Sequence, residues 1–179
     1  MGEKENIEKF TLYDKSTRVP LVISVPGMAN AGAICEQPVS LMDLYPTLVD
    51  LTGFEKPAHL DGRSLVPQLK DPDTETIPVI SSYRFTYPEQ RIIGHAVRSL
   101  HYRYIYYPEI NFEELYNHQN DPNEWDNIAY KEENKGIIEE HRKVLLELLP
   151  QMTWRKGPPD GYTVDEQGNV RSDNFESYY

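Results

Sequence analysis

Apolar and polar positions follow several rhythms along the chain. Residues 1–18 are mostly polar and charged. Val19-Pro-Leu-Val-Ile-Ser-Val25 is a β-branched run bounded by Pro26-Gly27. It predicts a short buried strand of the near-continuous apolar kind found in parallel sheets. A loop rich in Gly, Ala and Asn follows. Leu44, Tyr45, Leu48, Val49 and Thr52 then share one stripe of a 3.6-residue period, which predicts a helix. Asp43 suits its N-cap, since Pro46 then falls in the first turn, where a missing N–H costs nothing, and Gly53 suits the closing position. Leu60-Asp-Gly-Arg-Ser-Leu65 reads as a turn into a short helix reaching about Leu69, and Asp71-Pro-Asp73 as a loop.

Beyond this point the pattern changes to strands. Ile77–Arg84, Gly94–Leu100, Tyr102–Tyr107 and Glu114–His118 read as four strands, the middle two joined tightly near His101. Strands so close in sequence predict an antiparallel sheet. Asn120-Asp-Pro-Asn is turn chemistry. Ile137, Ile138, His141, Val144, Leu145, Leu148 and Leu149 mark an amphipathic helix ending at Pro150. From about Thr153 the chain is turn-rich, with a hairpin predicted at Gln167-Gly168-Asn169. The expected class is α+β: one strand–helix unit of a larger α/β sheet, then a small antiparallel sheet with a packed C-terminal helix. The expected divisions are 1–76, 77–152 and 153–179. The lone apolar strand wants neighbours on both sides, so the larger sheet is expected in sequence outside this chain.

Composition narrows the class further. The chain has 179 residues, 26% of them charged and 39% apolar, with 13 Tyr, 5 Phe and 2 Trp. That is core-forming material, not the composition of a disordered tail. Asp and Glu outnumber Lys and Arg by 29 to 18, for a net charge of −11. So acidic a chain is a poor general partner for nucleic acid or an anionic membrane surface, although a local cationic site is compatible with it. Cys35 is the single cysteine, which excludes an internal disulfide and multi-cysteine zinc sites. No apolar run approaches the roughly 18 residues of a membrane span. The opening residues are too polar for a signal peptide. There is no Gly-x-Ser-x-Gly, no phosphate-binding glycine loop and no H-E-x-x-H among the five histidines. Taken alone, the chain carries no complete catalytic set.

One stretch is specific. Gly2-Glu3-Lys4, then Lys9-Phe-Thr-Leu-Tyr-Asp-Lys-Ser-Thr-Arg-Val-Pro-Leu-Val-Ile-Ser-Val-Pro-Gly27, resembles the sulfatases of the alkaline phosphatase superfamily. There, a Lys-x-x-x-[Tyr/Phe]-[Glu/Asp]-x-x-x-Arg-x-Pro run leads into a strand ending Pro-Gly. Gln37–Gly53, Leu60–Leu65, Ala96–Ile105 and Glu114–Ala129 resemble further family segments in the right order, so the resemblance covers about residues 2–150. It points to the iduronate-2-sulfatase-like and bacterial exo-sulfatase groups. It implies a sulfuric ester hydrolase that uses a formylglycine and a calcium ion on sulfated carbohydrate, and an exported protein. Cys35 lies in Cys-Glu-Gln-Pro-Val, not in the formylglycine motif, and the family's calcium ligands lie upstream of Gly2-Glu3. The chain is therefore expected to be the C-terminal part of a sulfatase, inactive alone and partnered with its own N-terminal part. A phosphonate monoester hydrolase or phosphodiesterase of the same superfamily, or a non-catalytic binding fragment, are the alternatives.

Lys9 matches the family lysine that contacts the sulfate ester, where a fixed cation stabilises charge developing on the ester oxygens. Without the motif it would read as a solvated surface lysine. Arg18 occupies the motif's arginine and is expected in a structural ion pair. His95, Arg98, His101 and Arg103 line the predicted hairpin. Of these, His95 and Arg98 are candidates to reach an anionic sugar, the competing reading being the wet face of a sheet. Tyr102, Tyr104, Tyr106 and Tyr107 could stack on sugar rings or pack across the sheet. Trp125, Trp154 and His141 are expected in packing roles. No metal ligand is assigned within the chain.

Overall fold

The computed structural model describes residues 10–28, 30–86 and 91–172. Lys9 and Gly2-Glu3-Lys4 lie outside the described residues. Two compact units emerge. One joins the described residues up to Arg18 with residues 80 onward, and the other is Val19–Val79.

In the first unit, a short helix, α1 (Asp14–Thr17), follows Leu12 and Tyr13. Strands β1 (Val79–Thr86), β2 (Arg91–Arg98), β3 (Tyr102–Tyr107) and β4 (Phe112–Asn117) form a four-stranded sheet in the order β1-β2-β3-β4. The predicted antiparallel sheet is present. Val97 pairs with Tyr104, and Tyr104 with Leu115. Alternation then sorts the side chains onto two faces. Val97, Tyr104, Tyr106 and Leu115 pack with Ala129, Ile138 and Leu145. Ala96, Ile105 and Tyr116 pack with Leu12. Both faces are therefore covered. The interiors of β3 and β4 are buried at every position, polar ones included, where an antiparallel sheet often keeps one face wet.

The helix that covers the first face, α4, runs Lys135–Leu148 and buries Ile138, His141 and Leu145. It stops just before Pro150, as the sequence predicts. The hairpin at residues 167–169 also forms, joining β5 (Tyr162–Val164) to β6 (Val170–Ser172) with Val164 opposite Val170.

In the second unit, a 3-10 turn at Leu41–Asp43 leads into α2 (Leu44–Thr52), and α3 spans Val66–Lys70. Gly53 closes α2 in the left-handed region at φ 71°. Two expectations change here. Asp43 does not cap α2. Its carboxylate accepts the Ser40 amide at 2.9 Å in a capping box with Ser40 and the Arg63 amide at 2.9 Å. Thr47 Oγ1 donates to the Asp43 carbonyl and accepts the Leu65 amide at 2.8 Å. The loop at 62–65 thus docks on the Asp43–Thr47 side, burying Pro46, Thr47 and Val49. Tyr45 and Leu48, placed on the inner stripe from periodicity, are 55% and 59% exposed. Residues 19–25 form no strand among the described residues, and Val19, Leu21 and Val22 are exposed. A strand exists only through a ladder partner, and no described strand pairs with this run.

Gly62 is fixed by close approach. A Cβ there would lie 2.0 Å from the Met42 carbonyl oxygen. Gly62→Ala should force the docked loop off α2 and cost about 2 kcal/mol or more. A lowered thermal midpoint, with faster proteolysis within residues 60–65, is the expected result, and an unchanged midpoint would contradict it.

Candidate functional site

Arg103 sits in an interior strand, and alternation aims it at the face that holds Leu12. It is 3% exposed, so every donor needs an acceptor on that side. Nε donates to Glu124 Oε1 at 2.6 Å, Nη1 to the Leu12 carbonyl at 3.0 Å and Nη2 to Asp14 Oδ1 at 2.9 Å. Glu124, 2% exposed, also accepts the Asp14 amide at 2.8 Å and bonds His118 Nε2 at 2.7 Å. Burial pushes the Glu124 carboxyl up, but the His118 bond, the Arg103 charge and the Asp14 amide outweigh it and hold the group below its ordinary value. Glu124 adopts φ 60°, a left-handed conformation that strains a residue with a Cβ. The sharp turn through residues 121–126 is what delivers its carboxylate under the sheet.

Next to this ion cluster, Tyr13 and Tyr116 both donate to Glu114 Oε1, at 2.9 and 2.7 Å, with their rings edge to face. Leu12, Tyr13 and Asp14 are thus each held from the sheet. This stretch begins three residues after Lys9, which itself lies outside the described residues. Arg18 makes an ion pair with Asp14, but at 3.8 Å and with an 81% exposed side chain, so the pair is solvated and adds little structural hold.

His95 and Arg98 do not converge. Three residues apart on one strand, they point to opposite faces. His95 pairs in register with Tyr106, and its Nδ1 lies 2.8 Å from Ser82 Oγ. Arg98 lies beside Asp14 on the Arg103 side, 3.9 Å from its carboxylate. Its guanidinium is spent on the hairpin turn, donating to the carbonyls of Ser99, Leu100 and Tyr102. Tyr104 and Tyr106 are core residues, out of reach of a sugar. Trp154 stacks on Tyr106 and donates to the Tyr104 hydroxyl at 2.9 Å, a packing role as expected, whereas Trp125 is exposed. His141 is buried on α4, with Nδ1 donating to the Ile137 carbonyl at 2.7 Å and Nε2 facing Ser99 Oγ at 2.9 Å.

Asp14, Arg103 and Glu124 were not singled out together from sequence. One signal was available: an arginine inside an otherwise aromatic and aliphatic strand, Tyr-Arg-Tyr-Ile-Tyr-Tyr, needs a buried carboxylate. Among the described residues no three His, Cys, Asp or Glu side chains gather as a metal site. An open recess of about 390 Å³ lies elsewhere, lined by Tyr130, Gly157, Pro158, Thr163 and Val164. It has no charged lining and no link to the ion cluster.

Residues 2–151 match the family model described as N-sulphoglucosamine sulphohydrolase, C-terminal. A Delta 4,5-hexuronate-2-O-sulfatase from Bacteroides thetaiotaomicron is 36% identical over 141 residues, which are 75% of this chain and 29% of that protein. A solved complex of a protein with its substrate D-glucosamine-2-N,6-O-disulfate is 28% identical at a TM-score of 0.51, covering 61% of this chain and 23% of that one. A phosphonate monoester hydrolase from Silicibacter pomeroyi gives a TM-score of 0.65 over 96% of this chain and 36% of its own, at 22% identity, a likeness of fold alone. The chain spans less than a third of the length of the curated hexuronate sulfatase.

Burial pulls the His141 and His95 imidazoles below their ordinary value of 6.5. Groups lowered on folding favour the native state fully above the unfolded value, and that contribution is lost as pH falls through the folded one. The thermal midpoint should therefore begin to drop as pH falls below about 6.5. It should drop again in the acid range, where Glu124 takes up its proton. His141→Gln should flatten part of the first decline. An unchanged slope between pH 7 and 5 in that variant would count against the assignment.

Proposed function

The chain belongs to the sulfatase family, matching the C-terminal part of its enzymes, and on that premise we propose that it completes a hydrolase of sulfate esters on sugars. The observation that carries this is the family match over residues 2–151, which includes both the Lys9–Gly27 run and the β2–β3 hairpin. The hexuronate sulfate named for one relative and the sulfated glucosamine bound in a solved neighbour favour a sulfated carbohydrate. The hexuronate enzyme also favours the iduronate-2-sulfatase-like branch. In this reading residues 1–76 close the catalytic α/β domain, 77–152 form the sheet-and-helix subdomain, and 153–179 are a tail.

Lys9 would place an ammonium against one sulfate oxygen. Charge builds on the ester oxygens as the sulfur–oxygen bond breaks, and a fixed cation there lowers the barrier more than it tightens ground-state binding. His95 and Arg98 would serve at most as separate contacts, since they face opposite sides of the sheet. The described residues do not fit a calcium ion, and Cys35 lies outside the Cys-x-Pro/Ala-x-Arg pattern that yields formylglycine. In this reading both groups, and the attack on sulfur, are supplied by sequence upstream of this chain.

The full-length enzyme should release sulfate from D-glucosamine-2-N,6-O-disulfate or a 2-O-sulfated unsaturated hexuronate. It should do so faster than it hydrolyses a matched phosphonate monoester. Lys9→Ala should lower kcat by about 10²-fold. The 179-residue chain alone should release none, and turnover by it would overturn the proposal. Faster phosphonate than sulfate hydrolysis would move the enzyme to the neighbouring branch.

A further inference from the structure

Asp14 sits where three arginines and a histidine meet. Its Oδ1 accepts Arg103 Nη2 at 2.9 Å, with Arg98 Nε and His118 Nδ1 each at 3.9 Å. Its Oδ2 faces Arg18 Nη1 at 3.8 Å, four residues further on. Among the described residues Glu124 is the only other carboxylate that pairs with these groups, and Arg103 and His118 engage it. Three guanidiniums thus answer two carboxylates, a local positive excess in a chain of net charge −11. Burial first, then the like charge of Arg103 and of Arg18, pulls the Arg98 guanidinium below its ordinary value, although Asp14 and Glu124 oppose them. Gathering like charges is unfavourable, and the fold gains little from the third. Arg18 is 81% exposed, and its pair with Asp14 is too long and too wet to add stability.

The guanidiniums differ in what they have left to donate. Arg103 engages protein acceptors through Nε, Nη1 and Nη2. Arg98 bonds the hairpin carbonyls through Nη1 alone, which leaves Nε and Nη2 without a hydrogen-bond acceptor among the described residues. The Arg18 fork has only its long ion pair. Both flank the same carboxylate, and both reach solvent, Arg98 at 22% exposure. A guanidinium fork matches the paired oxygens of a sulfate or a carboxylate. We propose that Arg18, with Arg98 beside it, is a subsite for a second oxyanion of the substrate: a sulfate or carboxylate that the sugar carries in addition to the ester being cleaved. The inference rests on the sulfated-carbohydrate reading given above. Asp14 holds the two forks side by side, and the arriving oxyanion supplies the missing negative charge. Arg18 then acts in specificity and not in bond cleavage.

Arg18→Gln tests it, since so exposed a side chain can be changed with little effect on folding. KM and kcat are measured on the full-length parent, R18Q and R18K. The probes are D-glucosamine-2-N,6-O-disulfate, with a second sulfate, a 2-O-sulfated unsaturated hexuronate, with a carboxylate, and 4-methylumbelliferyl sulfate, with neither. R18Q should raise the KM of at least one acidic sugar about tenfold relative to that of 4-methylumbelliferyl sulfate, with kcat little changed. R18K should recover part of the loss, because it restores the charge without the fork. A rise confined to the disulfate assigns the subsite to sulfate, one confined to the hexuronate to carboxylate, and a rise on both to either group. Equal changes on all three probes, or no change on either sugar, would overturn the proposal and leave the sulfatase reading intact. Should the parent release sulfate from neither sugar, the sulfated-carbohydrate reading fails, and calorimetric binding of the disulfate to the parent and R18Q decides the subsite. Binding about tenfold weaker in R18Q supports it, and equal or absent binding overturns it.

Discussion

A guanidinium buried in the middle of a sheet must be answered from its own side of that sheet, and the first unit is organised around that requirement. Removing such a charge from water costs several kcal/mol before any partner is counted. Arg103 meets the cost with three acceptors drawn from two distant places in the chain, residues 12–14 and Glu124. These contacts span about ninety residues of sequence on one side and twenty-one on the other. Together with the packing of Leu12, they explain how residues 12–14 are held on the sheet. They also explain the strained turn at Glu124, the only described route by which a second carboxylate reaches the Arg103 Nε.

The same logic is repeated across the sheet by two adjacent glutamates. Glu113 and Glu114 are neighbours in β4 and so point to opposite faces. Glu114 accepts from Tyr13 and Tyr116 on the Leu12 side. Glu113 accepts from the Tyr104 hydroxyl and from Arg142 Nε and Nη2, at 2.9 and 2.5 Å, on the α4 side. Burial and the neighbouring carboxylates push the hydroxyls of Tyr13, Tyr104 and Tyr116 far above their ordinary range, so they stay protonated and stay donors. The abundance of tyrosine becomes intelligible here. Each ring fills core volume while its hydroxyl satisfies a buried carboxylate, which phenylalanine could not do. β4 thereby couples the helix layer to residues 12–14 through two hydrogen-bonded carboxylates.

Strong local signals were legible in the sequence and long-range ones were not. The four strands, α4, the stop at Pro150 and the late hairpin each rest on periodicity or turn chemistry within a dozen residues, and each formed. Periodicity puts Tyr45 and Leu48 on the inner stripe of α2, yet both are exposed. The loop that docks on the helix chose the Asp43–Thr47 side for its hydrogen bonds instead, a partner twenty residues away that no window contains. Residues 19–25 read as a strand on propensity, but propensity supplies no ladder. His95 and Arg98 were grouped as polar hairpin residues, yet a spacing of three in a strand puts two side chains on opposite faces.

The ion cluster was the hardest feature to foresee, and the motif spacing becomes readable through it. In Lys9-x-x-x-Tyr13-Asp14 the last two positions bind the sheet: Tyr13 through Glu114, and Asp14 through Arg103 and Glu124. The cluster also answers an electrostatic difficulty. A chain of net charge −11 should repel an anionic ester. Yet Asp14 and Glu124, the carboxylates nearest in sequence or space to the grip, are engaged by Arg103, with Arg98 beside them. Paired opposite charges at hydrogen-bond distance leave little field beyond their own dimensions. The buried arginine thus serves the fold and the field together, and a neutral packing residue in its place would serve only the first.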